Sequence, residues 1–301
     1  MTSADSVEFG YFLVPNAADA LIDLAREVER LGLEWVGIQD HPYQRRFVDT
    51  FALMSAVLTA TTSLRVFPDV ACLPLRPPGV LAKTAASLDV LSGGRFELGL
   101  GAGSFWDAIE GYGGQRRTPG ESIDQLSEAI EVIRRLWSGE RGLRFEGDYY
   151  HLRGVHSGPV PVHDIGIWLG AYGPKMLRRT GRLADGWVPS VGADLLPRLP
   201  ELNDRVDQGA VEAGRDPSAV RRVFNVSGVI TDGDSRGFLR GPVDQWADEL
   251  AELVTQHRAE LIVYAGPSLA GQRGDADGLT QLRRFAEDVV PATRSRLAVS
   301  R

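Results

Sequence analysis

The chain has 301 residues, 43% hydrophobic and 24% charged, enough apolar material to bury a large core and to fit one α/β barrel along its whole length. Its formal net charge of −7 argues against nucleic acid or an anionic membrane surface as the main partner. No apolar run reaches the roughly 20 residues of a membrane span, residues 1–5 do not read as a signal peptide, and Cys72, the lone cysteine, leaves no internal disulfide or cysteine metal cluster; the expectation is a cytoplasmic protein with one domain over residues 1–301.

Val7 to Leu13 reads as a first strand, entered from a polar tail and closed by Pro15-Asn16. Asn16 suits the N-cap of a helix through Leu31, with Ala20, Leu21, Leu24, Val28 and Leu31 as its buried stripe and Gly32 as its stop. Leu33 to Ile38 is a second strand, delivering Gln39-Asp40-His41-Pro42 to its C-terminal end. Strand, helix and strand in so short a span make a right-handed βαβ unit with parallel strands. Asp49-Thr50 starts a helix through Thr61, and Leu64 to Asp69 is a third strand, followed by the proline-laden connection Ala71 to Pro78.

Pro78 to Leu91 has helical spacing, with Val80, Leu81, Ala85, Leu88 and Leu91 on one stripe, and Ser92-Gly93-Gly94 ends it because glycine accepts the left-handed C-cap conformation. Arg95 to Leu100 fits a buried parallel strand, after which Gly101 and Gly103 let the backbone approach a ligand, or simply make a turn. Gly101-Ala102-Gly103-Ser104 lacks the third glycine and the early position of a dinucleotide-binding loop. Residues 101–120 read as a long loop without a period. Glu121 to Trp137 is a periodic helix, Phe145 to Leu152 an inserted hairpin, and Ile165 to Gly170 a fifth strand. Tyr172-Gly173-Pro174 opens a helix through Leu183, with proline at its favoured first position.

Gly186 to Val188 is a sixth strand, Leu195 to Ala213 a helix, and Arg221 to Ile230 a seventh strand. Thr231 to Gly241 is a polar excursion, Pro242 to His257 a helix, Leu261 to Tyr264 the eighth strand and Leu279 to Val290 the last helix. Eight alternations with no composition break make a (β/α)8 TIM barrel with loop insertions the leading fold, and a doubly wound open sheet the alternative.

In such barrels the active site forms at the C-terminal ends of the strands. Asp40-His41, Asp69 to Cys72, Gly101 to Trp106, Ala171 to Lys175 and Asp185 to Trp187 all fall there. His41 is either a catalytic imidazole or a satisfied structural histidine, and Asp40 its tuning neighbour or a helix cap. Ala171-Tyr172-Gly173-Pro174 at a helix N-terminus is a ready anion site, with Lys175 adding charge, or a plain loop. Trp106, Tyr43 and Phe12 offer an aromatic wall. No cluster has metal-ligand spacing, and no nucleophile elbow is present.

Gly37-Ile38-Gln39-Asp40-His41, the run Arg76 to Lys83, the run Ser92 to Gly103, Leu169 to Leu177 and Ala184-Asp185-Gly186-Trp187 together resemble the luciferase-like flavin/deazaflavin oxidoreductase superfamily. The resemblance covers nearly the whole chain and implies a barrel binding coenzyme F420 or FMN at its C-terminal rim, usually as a homodimer. It places His41 and Asp40 as catalytic residues, and Asp69, Val70 and Ala71 in a bulge under the cofactor ring. Gly101, Ala102 and Gly103 would lie beside the ring, and Ala171, Tyr172, Gly173, Pro174 and Lys175 would bind the phosphate. A non-proline cis peptide is expected at or within a residue of Asp69-Val70.

Two departures, Ser104 where the sugar-phosphate dehydrogenases of the family carry glutamate and Arg45 where they carry tryptophan, count against a sugar-phosphate substrate. F420 is preferred over FMN because lysine occurs only at Lys83 and Lys175 among 33 basic residues, a bias of GC-rich coding. The expected activity is hydride transfer between F420 and a small organic substrate. The alternatives are an FMN-dependent two-component monooxygenase served by a separate flavin or F420 reductase, and a non-enzymatic carrier of flavin or deazaflavin.

Overall fold

In the computed structural model, which describes residues 7–267 and 277–299, short apolar strands alternate with amphipathic helices. The polar tail of residues 1–6 lies outside the described residues. The first half comprises β1 (Glu8–Leu13), α1 (Leu21–Arg30), β2 (Trp35–Ile38), α2 (Thr50–Ala60), β3 (Arg65–Pro68), β4 (Ala71–Cys72), α3 (Pro78–Ser92), β5 (Leu98–Gly101), α4 (Trp106–Gly111) and α5 (Pro119–Trp137). An antiparallel hairpin, β6 (Leu143–Glu146) and β7 (His151–Val155), is inserted next. The second half comprises β8 (Ile167–Leu169), α6 (Pro174–Leu183), β9 (Gly186–Trp187), β10 (Ser190–Val191), α7 (Leu199–Glu212), β11 (Arg221–Ser227), β12 (Val229–Ile230), β13 (Arg240–Gly241), α8 (Val243–His257), β14 (Leu261–Ala265), α9 (Gly278–Arg284) and α10 (Val290–Val299).

The main sheet runs β3-β2-β1-β14-β11-β9-β8-β5-β4, with every pairing parallel. β3 and β4 are halves of one strand interrupted at Asp69-Val70. The first half pairs with β2 and the second with β5. Val66 also bridges in parallel to Phe96, just before β5, so the ring closes. Eight parallel positions around a ring, each followed by helix, make a (β/α)8 barrel and exclude the open doubly wound sheet. Inside it, Trp35, Phe67, Trp168, Val188, Val223, Leu261 and Val263 fill the lumen. A larger apolar layer lies between the strands and the helices.

Several local expectations change. α1 starts at Leu21 behind Ala20, which makes no side-chain cap. Asn16 instead bridges to Phe47, because residues 14–17 pair with the loop that follows β2. On α3 the buried face is Leu81, Ala82, Ala85, Ala86 and Leu88, whereas Val80 and Leu91 are 68% and 84% exposed. Spacing admitted them to the stripe, but they fall on the face of α3 turned to solvent. Gly93 does end α3 in the left-handed conformation, with φ at 71°. The loop 101–120 contains α4, under two turns long and too short to show a period. The seventh strand breaks at Gly228, where a Cβ would lie 1.9 Å from the Leu239 carbonyl oxygen, and β12 pairs with β13 instead. The last helix runs on past Val290 to Val299 through a π-helical turn at 285–289.

α6 carries the rim segment of most interest, and its seat is set by two glycines. A Cβ on Gly181 would lie 1.8 Å from the Val206 oxygen, and one on Gly209 would lie 2.1 Å from the Arg178 oxygen, so α6 and α7 touch backbone to backbone. Overpacking such a contact costs about 1–3 kcal/mol, which at this chain length lowers Tm by about 2–4 °C per kcal/mol. Gly181→Ala should therefore melt several degrees below wild type in a thermal scan. Gly120→Ala, where the added atom meets nothing within 4 Å, should be neutral or slightly stabilising. Equal melting of Gly181→Ala and wild type would contradict the close approach.

Candidate active site

The C-terminal ends of the strands surround a cavity of about 750 Å³. Its lining includes Asp40, His41, Asp69, Val70, Ala71, Gly101, Ala102, Gly103, Ala171, Tyr172 and Gly173, so eleven of the expected site residues gather at one rim. Pro174 does not line it. Lys175 faces a separate groove of about 390 Å³ with Arg178, Arg179 and Arg182. Phe12, Tyr43 and Trp106, expected as an aromatic wall, line the cavity, and so do Phe105, Ser104, Met176, Val188, Ser190 and Asn225.

The floor is the break between β3 and β4. The Asp69-Val70 peptide is cis, and Val70 projects among three glycines. A Cβ on Gly99 would meet the Pro68 oxygen at 2.0 Å, one on Gly101 would meet a Val70 methyl at 2.7 Å, and one on Gly170 would meet it at 3.4 Å. The glycine at 101 thus makes room for the protein's own bulge. It lines the cavity as well, so this need for room stands beside the expected approach of a ligand. Gly103, with φ at 96°, turns the chain against Pro74.

Asp69 is 9% exposed and accepts a hydrogen bond from the Asn225 side-chain amide at 3.0 Å. Its Oδ2, and the Oδ1 of Asn225, have no hydrogen-bond partner. Burial pushes the Asp69 carboxyl up to about 7, against the lowering effect of the Asn225 bond. Two buried polar atoms without partners under an apolar-walled cavity are the mark expected for a flat, heteroatom-bearing ring, and they fit a flavin or deazaflavin. The sequence reading missed Asn225; its signal was a lone amide inside the apolar run of β11.

Asp40 does not pair with His41. Its carboxylate is fully buried and takes two parallel bonds from Arg76, Nε to Oδ2 and Nη2 to Oδ1, each 2.7 Å, and a third from the Cys72 N–H at 2.9 Å. Arg76 also reaches Asp49 at 2.7 Å and lies over the Phe51 ring at 4.5 Å. Asp49 in turn caps α2 through the N–H groups of Phe51 and Ala52. Asp40 is therefore the anchor that fastens the loop after β2 to the loop after β4. Arg76 stood in a quoted segment, but nothing in the sequence paired it with Asp40. His41 bonds instead to the Tyr43 hydroxyl through Nδ1, at 2.6 Å. Burial lowers the His41 pKa, with Asp40 pulling the other way, so the ring is neutral at pH 7.

At the far side two helix N-termini face the cavity. α5 is closed by a capping box between Thr118 and Glu121 and contributes Pro119, Ser122 and Ile123. α6 begins at Pro174 behind Gly173 in extended conformation. The loop before it is held by the buried Trp187, which donates to the Ala171 carbonyl at 2.9 Å. The Tyr172 hydroxyl accepts from the Ser190 N–H at 2.8 Å. The first N–H groups of a helix have no intrahelical partner and suit an anion.

The profile of the luciferase-like monooxygenase family matches residues 4–236. An F420-dependent glucose-6-phosphate dehydrogenase of Gordonia bronchialis is 31% identical over 215 residues, which is 68% of this chain; the match spans 63% of that relative's length. An F420-dependent secondary alcohol dehydrogenase, solved with an F420-acetone adduct, superposes with a TM-score of 0.78 at 19% identity, over 96% of this chain and 99% of that one. A riboflavin lyase solved with modified FMN and riboflavin gives 0.80 at 15% identity, over 97% and 92%. The last two likenesses concern the fold.

Two predictions follow from the charges of the site. Removing one partner of a buried ion pair costs about 3–5 kcal/mol, so Arg76→Met should lose that much in chemical denaturation. The double variant with Asp40→Asn should lose clearly less than the two single losses added together. Additive losses would show that the two side chains are not coupled. The Asp69 carboxyl favours its protonated form in the folded state. Its contribution is thus whole below the usual carboxylate range near 4 and is lost as pH rises through about 7. Between those values Asp69→Asn should remove a stability slope of up to about 1.4 kcal/mol per pH unit, gaining on wild type from pH 5 to pH 8. Parallel stability curves for the two proteins would refute the shift.

Proposed function

The chain belongs to the luciferase-like monooxygenase family, and from that premise we propose that it is an oxidoreductase moving a hydride between coenzyme F420 and a small, uncharged organic substrate. The observation that carries the substrate class is the cavity lining. Among the described residues it contains aromatic and aliphatic side chains, a few hydroxyls and amides, and no lysine or arginine. Its two carboxyls are accounted for, Asp40 by Arg76 and Asp69 by the protonation that burial favours. A substrate phosphate would find no cation there, while an alcohol or ketone with an apolar body would find His41, Tyr43 and the wall of Phe105 and Trp106.

When bound, the deazaflavin supplies the atom that accepts or gives the hydride. The residues would divide the remaining work. Val70 and its glycine neighbours form a shaped floor, and Asp69 and Asn225 offer hydrogen bonds to a ring edge. Ala171, Tyr172 and Gly173 hold the phosphate end at the start of α6. Phe105 and Trp106 keep water from the substrate, and His41 meets its oxygen. The single-domain reading of residues 1–301 and the homodimer belong to the same proposal, while the separate reductase belongs to the FMN alternative. Among the described residues no helix is long and apolar enough to cross a membrane.

Separate titrations of the purified protein with F420, reduced F420 and FMN test the cofactor. Coupled absorbance assays then compare neutral alcohols and ketones with glucose 6-phosphate. F420 should bind more tightly than FMN, and only the neutral substrates should be turned over. Tight FMN binding without F420 binding would move the protein to the monooxygenase reading. Turnover of glucose 6-phosphate would overturn the substrate class, and binding without turnover across the screen would favour a carrier.

A further inference from the structure

Tyr43 lies two residues beyond His41, and its hydroxyl is 2.6 Å from Nδ1 of that histidine. The two rings are 5.3 Å apart, and Phe105 meets the imidazole edge-on at 5.4 Å. With Nδ1 engaged, Nε2 is the ring nitrogen without a protein partner among the described residues, in a side chain that lines the cavity. We infer that Tyr43 is a positioning residue whose hydroxyl donates to Nδ1, holds His41 as the Nε2–H tautomer, and so presents a substrate oxygen with an N–H donor instead of a basic nitrogen.

A neutral imidazole carries one N–H, and the hydrogen bond made at one nitrogen decides where it sits. His41 is neutral because burial disfavours its charged form. Burial also pushes the Tyr43 hydroxyl up to about 12, with Cys72 and Asp40 adding to the effect, so the phenol keeps its proton. Between a phenol and a neutral imidazole, the phenol is the better donor and the bare ring nitrogen the better acceptor. The bond therefore runs from Oη to Nδ1, and the ring proton is left on Nε2. Asp40 does not take this role, since its carboxylate bonds to Arg76 and the Cys72 N–H while Nδ1 bonds to Tyr43. The usual carboxylate orienter of a catalytic histidine is thus replaced by a tyrosine two residues away. A donor at Nε2 steadies the negative charge that gathers on a carbonyl oxygen when hydride reaches its carbon, and that oxygen then takes its proton from solvent.

That catalytic consequence rests on the oxidoreductase reading; the tautomer does not. The test uses cofactor-free protein labelled with ring-15N histidine, with the His41 signals identified by their loss in His41→Gln. Wild-type His41 should show the Nε2–H tautomer. Tyr43→Phe should shift it toward a mixture of tautomers while the signals of the other histidines stay in place. An Nδ1–H tautomer in wild type, or His41 shifts unaltered in Tyr43→Phe, would overturn the inference. Should Tyr43→Phe disturb the fold, seen as movement of the other histidine signals, the wild-type tautomer decides alone. With a substrate in hand, Tyr43→Phe should lower kcat on the order of 10-fold, the worth of one hydrogen bond, with KM little changed. An unchanged kcat would remove the catalytic consequence. Lack of turnover in wild type with every substrate would sink the oxidoreductase reading and leave the tautomer standing.

Discussion

The carboxyl rim of this barrel depends on room for Val70. One strand of the ring stops at Pro68 and resumes at Ala71, and the two residues between leave the plane of the sheet. A regular barrel has no space for such an excursion, because its lumen is filled to the density of an organic crystal. The space comes from neighbouring strands that give up their side chains. Gly99 and Gly101 of β5 each leave out a Cβ that would strike Pro68 or Val70, and Gly170 after β8 lies where a Cβ would just touch Val70. Gly37 of β2 does the same for Asp69, whose Oδ2 would lie 2.8 Å from an added Cβ. Gly37, Gly99 and Gly101, in two strands, thus share one steric requirement, and together they shape the floor of the cavity. A methyl group at any of them would be felt at the site before it was felt in the core.

Charge is arranged around that floor so that none of it is free to face a substrate. Asp40 would be a buried anion at the mouth, and Arg76 cancels it with the fork geometry that suits a carboxylate. Such a pair contributes little net stability, because desolvating both charges consumes most of what their attraction returns. Its value lies in position, since it ties the loop bearing His41 to the loop after β4. Asp69 has no cation, and burial settles the matter differently, by favouring the neutral acid until about pH 7. The result is a cavity whose polar groups are oriented dipoles. On the proposed reading, selectivity there would come from hydrogen-bond direction and shape, and the side of the imidazole that carries the proton would matter.

The barrel was legible because its cues repeat: apolar strands of two to seven residues, helices with one buried stripe, and glycine or proline at nearly every junction. The errors fell where one element's fate is decided by another. Val80 and Leu91 have the spacing of buried residues and lie outside, and Asn16 has the chemistry of a cap and is drawn into a bridge with Phe47. At the site, Asp40 and His41 stand next to each other in sequence, but consecutive residues at a strand end point to opposite sides and need not pair. Their true partners, Arg76 at 36 residues' distance and Tyr43 at two, needed coordinates. Asn225 and Asp69 are 156 residues apart, and no local pattern could join them.

Lys175 bears on how an anion would be held at the far rim. The lysine nearest the expected phosphate loop turns to an outer groove with Arg178, Arg179 and Arg182, while Gly173 and Met176 face the cavity. On the proposed reading, the phosphate then meets the opening N–H groups of α6, with the start of α5 across from it. The start of α6 contributes about 0.3–1 kcal/mol toward a negative charge nearby, and its backbone bonds come from groups with no intrahelical use, whereas the start of α5 is already closed by its capping box. Such a site needs no side chain to be ordered when the ligand arrives, so little entropy is lost on binding. The loop is held from behind by Trp187 at the Ala171 carbonyl and by Ser190 at the Tyr172 hydroxyl, which supports that reading. A cradle made of backbone works only where the backbone is already in place.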